Sequence, residues 1–102
     1  MTRDGHTIEG PHGSIRIEGD ALSGLVITSA ELVEGARVRR PRRGLDVSVS
    51  AGTAKVELEL AAPYGVALPM VAREVQANVA AALLRSAGLA AGVDVSIEEL
   101  DL

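Results

Sequence analysis

The chain contains no cysteine. That excludes a disulfide, a thiolate nucleophile and a cysteine-ligated zinc. It contains no tryptophan and no phenylalanine, and its one aromatic is Tyr64. Any core must therefore be built from Val, Leu, Ile and Ala. No apolar run approaches the roughly 18 residues that a membrane-spanning helix needs. The opening MTRDGHTIEGPHG has no apolar stretch of the kind a signal peptide carries. A cytoplasmic protein with no direct membrane span is the expectation. His6 and His12 lie near Asp4 and Glu9, but nothing in their spacing fixes a metal geometry, and neither metal nor cofactor is expected. The net charge of −4 weighs against general nucleic-acid binding.

What remains is enough for one domain: 102 residues, 47% of them apolar. Residues 1–12 are polar and broken by Gly5, Gly10 and Pro11, and they read as a flexible tail ahead of a domain at 13–102. The stretch from Pro63 to Leu89 organises that domain. Val71, Val75, Val79, Ala82 and Leu83 recur at helical spacing and predict one apolar stripe. Pro63, Tyr64 and Gly65 break the preceding strand, and Pro69 suits a first helical turn, where its missing N–H costs nothing. Gly88 suits the position past the helix end.

Ile15 and Ile17 alternate with Arg16 and Glu18, which predicts a short strand over 14–18. Asp20 is placed to cap a first helix over 21–34, with Leu22, Val26, Ala30 and Val33 on one face. The β-branched run Val26, Ile27 and Thr28 keeps a strand there as the alternative. Leu45, Val47 and Val49, then Val56, Leu58 and Leu60, alternate with polar residues around Ala51, Gly52 and Thr53, a β-hairpin pattern. Val93, Val95 and Ile97 predict a final strand. The order is βαββαβ. The architecture expected is an α+β two-layer sandwich, one four-stranded sheet with both helices on its apolar face. Ferredoxin-like topology is the leading arrangement. Val75 and Val79 are expected to pack against Leu58.

The one charge run is RVRRPRR, with Arg37, Arg39, Arg40, Arg42 and Arg43 around Val38 and Pro41. Pro41 makes it a loop. It is either a contact for an acidic partner, anionic lipid or phosphate, or a solvated connection. The open sheet face is expected to present Glu18, Asp46, Glu57, Glu59, Asp94 and Glu98 against Arg16 and Lys55. Sheets that read RNA present stacking aromatics and positive charge, and this one presents neither. There is no Gly-rich phosphate loop, no HExxH and no serine beside a structured histidine, so no enzyme is expected. Arginines in one loop and acidic residues on one face would let copies dock head-to-face as a weak homo-oligomer.

Taken in order, the segments resemble the bacterial alkaline shock protein family. GSIRIEGDAL is similar to the family's Gly-x-Ile-x-Ile opening, and LVEGARV to its helix end with a Gly turn. GLDVSV, SAGTAKVELELAAPYG and VAREVQANVAAALLRSAGLAAGVDVSIEEL resemble its paired strands, Tyr-Gly turn, Val-x-x-x-Val-Gln helix and final strand. The resemblance covers about residues 13 to 100. Ala87 stands where the family carries Thr, and the Arg-rich link is short where the family often carries an insert.

The resemblance implies a non-enzymatic interaction or scaffold protein, with a role in cell-envelope stress response or homeostasis. It implies protein partners, a membrane-anchored one among them, that bring the chain to the membrane. Tyr64, Gly65 and Gln76 match family motif positions. Each has a structural role open to it: Tyr64 capping the core, Gly65 supplying a positive φ, Gln76 hydrogen-bonding a loop. The alternative function is a nucleic-acid accessory protein using the Arg-rich loop 37–43. A third is a regulator holding a small molecule between helix and sheet.

Overall fold

The long helix forms where its periodicity places it. In the computed structural model, which describes residues 5–39 and 45–101, α2 runs Leu68–Ala87. Pro69 lies in its first turn. Gly88 closes it in the left-handed conformation at φ 68°, and the Leu89 N–H turns back to the Leu83 carbonyl at 3.1 Å. This closure satisfies a carbonyl that the helix end would otherwise leave bare. Val71, Val75, Val79, Ala82 and Leu83 are all buried.

Helix α1 spans Gly19–Glu31. The β-branched run inside it does not turn it into a strand, because Leu22, Val26 and Ala30 bury one face completely. Asp20 is not the cap. Glu18 holds that position with extended backbone and no side-chain bond, and its carbonyl receives the Ala21 and Leu22 N–H groups. Asp20 sits in the first turn, where a carboxylate still favours the helix dipole.

The sheet is built on β5, Thr53–Pro63. One edge of β5 carries β4, Leu45–Ser50, in an antiparallel hairpin through Ala51 and Gly52. The same edge, further along, carries β3, Arg37–Val38, paired with Leu60 and Ala61. The other edge carries β6, Ala90–Asp101, parallel to β5. A bulge between Leu60 and Ala61 shifts that register and leaves Glu98 unmatched. The class is α+β, with four strands in the sheet and two helices packed on its apolar face.

Sheet membership differs from the expectation at one strand. A ferredoxin-like sheet would include the opening strand, but β2, Gly13–Ile17, pairs with β1, His6–Gly10, as a separate hairpin. Residues 6–10, expected within a flexible tail, are therefore strand. Pro11 and His12 form the turn, and Gly13 follows at φ 126°. Ile8 stands opposite Ile15, which is 61% exposed. The fourth place in the sheet goes to β3. Two residues are too short a run to form a strand by themselves, but the surroundings hold them. The Val38 N–H donates to Glu31 Oε2 at 3.0 Å, and the Arg39 N–H donates to the Glu59 carbonyl at 3.0 Å.

Helices and sheet share one core. Leu22, Val26, Leu58, Leu60, Val75, Val79 and Leu83 lie in it, all at most 2% exposed. Val75, Val79 and Leu58 are in the same cluster, as the sequence periodicities require.

Candidate functional site

The Arg-rich segment starts at the edge of the sheet. Arg37 is exposed on β3, opposite Ala61. Arg39 follows it, and its Nη1 lies 3.4 Å from Glu59 Oε1, each side chain 35% exposed. A pair this open contributes about 0–1 kcal/mol. Arg40, Arg42 and Arg43 lie outside the described residues. The contact between Arg39 and Glu59 changes the expected charge picture. The start of the basic segment, at Arg39, meets a carboxylate expected on the acidic face within the same molecule.

The acidic face itself is largely as the alternation requires. Asp46, Ser48, Lys55, Glu57, Asp94, Ser96 and Glu98 are exposed. Arg16 and Glu18 are not part of it. They belong to the β1–β2 hairpin, where Arg16 reaches Glu18 Oε1 at 3.4 Å and donates to Thr7 Oγ1 at 3.3 Å. The register aligns Asp46, Glu57 and Asp94 in one row across three strands. Asp46, Glu57, Glu59, Asp94 and Ser96 border a shallow depression of about 330 Å³.

The motif positions separate into two places. Pro63, Tyr64 and Gly65 turn the chain from β5 into α2. Gly65 adopts φ 96°, and no atom lies near where its Cβ would stand. Its requirement is therefore the left-handed backbone, not space. Tyr64 does not cap the core; it is 71% exposed. Gln76 lies further along α2 and binds a strand rather than a loop. Its Nε2 donates to the Val93 carbonyl of β6 at 2.9 Å. Since, among the described residues, β6 pairs only with β5, this bond supplies a partner on an edge strand. Gln76→Ala is expected to lower stability by about 1 kcal/mol, read as a shift in urea midpoint at unchanged slope.

The turn that carries Tyr64 lines a groove of about 400 Å³ through Pro63, Val66 and Ala67. Glu34 and Gly35, past the end of α1, form one side. Pro63, Val66 and Ala67 form the turn side, and Met70, Val71 and Glu74 line it from α2. Met70 is 58% exposed. Sequence periodicity assigned Val71 to the core and said nothing of Met70. The signal available was that Met70 is apolar yet falls off the buried stripe.

Residues 20–102 match the model of the alkaline shock protein family, described as having a cell envelope-related function. Two solved structures share the fold, both variant forms of MamM CTD. One is 18% identical, covers 81% of this chain and 95% of its own, and superposes with a TM-score of 0.55. The other is 17% identical over 80% and 93%, with the same TM-score of 0.55. No curated protein matches the chain.

Proposed function

The chain belongs to the alkaline shock protein family, whose role is cell envelope-related, and on that premise we propose that it is a non-enzymatic interaction or scaffold module that docks on a protein partner at the envelope. The observation that carries this reading is Tyr64. A chain with one aromatic leaves it 71% exposed, on the turn whose Pro63 and Val66 line an apolar groove, instead of burying it. Tyrosine and methionine are enriched at the buried centres of protein interfaces, and both stand here in solvent. The charge of the open-face carboxylates disfavours the nucleic-acid alternative. No helix among the described residues is long and apolar enough to cross a membrane. In this reading a membrane-anchored partner holds the chain at the cytoplasmic surface, and envelope stress is the setting in which it acts.

The test uses the purified chain and three kinds of vesicle: native envelope, the same vesicles stripped with protease, and protein-free lipid. Binding to native vesicles alone is expected. Tyr64→Ala should weaken it by about tenfold or more, the loss typical of an interface anchor. Equal binding to protein-free lipid, or no binding to native vesicles, rejects the proposal.

A further inference from the structure

We propose that the groove at the start of α2 receives a short segment of a partner protein in which an apolar side chain is flanked by arginine or lysine. The inference rests on the interaction reading above and names the chemistry of the partner. The lining supplies an apolar slot in Pro63, Val66, Met70 and Val71. Its volume of about 400 Å³ is adequate for one large side chain with its backbone, near the lower end of the roughly 300–1,000 Å³ over which binding pockets fall. Met70 gives the slot an adaptable wall, since its unbranched thioether repacks around differing shapes.

Charge decides the flanks. Glu34 and Glu74 are exposed on the two sides of the slot, and neither has an ion pair among the described residues. The amino end of α2 adds a partial positive charge of roughly half a unit, which two full carboxylates outweigh. A cationic residue on each side of the anchor therefore meets an unpaired carboxylate. Such complementarity selects the partner and speeds encounter. The same rim repels anionic lipid headgroups, which favours a protein segment over a membrane surface.

The probe is a displayed library of random seven-residue peptides, selected on the full chain. Two variants are selected in parallel, Met70→Glu and the charge-reversed Glu34→Lys with Glu74→Lys. These positions are exposed, and thermal melts by circular dichroism check that each variant folds. Selection on the wild type is expected to converge on an apolar residue with Arg or Lys within three positions on both sides. A synthetic peptide of that consensus should bind Met70→Glu at least about tenfold more weakly. Its affinity for the wild type should fall as salt rises from 0.1 to 1 M, as the Debye length shrinks from about 10 to about 3 Å. The charge-reversed chain should select Asp or Glu in place of the cations. No convergence, a consensus without cations, or the same consensus from the charge-reversed chain overturns the proposal. If native vesicles still bind while no peptide is selected, the groove is ruled out and the interaction reading stands.

Discussion

Leu58→Ala is expected to destabilise the fold by about 2–5 kcal/mol, through lost burial and the cavity left behind. Leu58 is only 2% exposed. It lies at the centre of the sheet, with Leu45 beside it on β4 and Val95 on β6. Pairing on both sides fixes the β5 backbone, so the strand cannot shift inward to fill the space. Above it the core is branched aliphatic, with Val75 and Val79 fully buried and no aromatic ring to swing into a void. Poor relaxation places the cost toward the upper half of the range. Folded domains are stable by only about 5–15 kcal/mol, so this single truncation removes a large share. Equilibrium urea unfolding measures it, with the slope unchanged if the unfolded state is unaltered. A loss below about 0.5 kcal/mol would mean that the strand faces the other way, since a slip of one residue exchanges the two faces.

Elements whose own residues repeat at a fixed period were legible in the sequence. Val71, Val75 and Val79 mark α2, and Val56, Leu58 and Leu60 mark β5. In both elements the burial follows directly from the period. The pieces that were not legible are held by contacts between distant residues. Arg37 and Val38 form a strand because Glu59 and Glu31 receive their neighbourhood's N–H groups, and no local pattern in RVRRPRR encodes that. β1 had a signal that composition obscured. Ile8 lies in a polar run, but Gly10, Pro11 and Gly13 spell a turn that brings it opposite Ile15. The groove is assembled from residues 34–35 and 63–74, which meet only once α1 and α2 pack on the sheet. Tyr64 and Gly65 were singled out by family resemblance. What the structure adds is that the first is exposed and the second is required for its backbone angle.

Glu57→Lys is expected to stabilise the fold by about 1–2 kcal/mol at low salt, and by less at 1 M. Glu57 is the middle of a row, with Asp46 directly beside it on β4 and Asp94 on β6. Like charges in directly opposed positions destabilise a sheet, and opposite charges stabilise it by roughly 0.2–1 kcal/mol per pair. The substitution converts two repulsions into two attractions without disturbing the core, because the side chain is exposed. Lys55 does not already provide this relief; its register partners are Ser48 and Gly92, one row further along. In a domain of this size a gain of 1 kcal/mol raises the melting temperature by about 4–8 °C, so the change is measurable by calorimetry. Repeating the scan at 1 M salt separates charge from packing, because only the electrostatic share is screened. A gain that persists undiminished at high salt would assign the effect to strand propensity instead. The same variant also probes function. A row of mutual repulsion lowers stability, and sequences keep such departures where function requires them. If Glu57→Lys is more stable yet binds native envelope vesicles as the wild type does, the row of Asp46, Glu57 and Asp94 takes no part in docking. A stabilised chain with weakened vesicle binding would make the acidic face a second contact for the same partner.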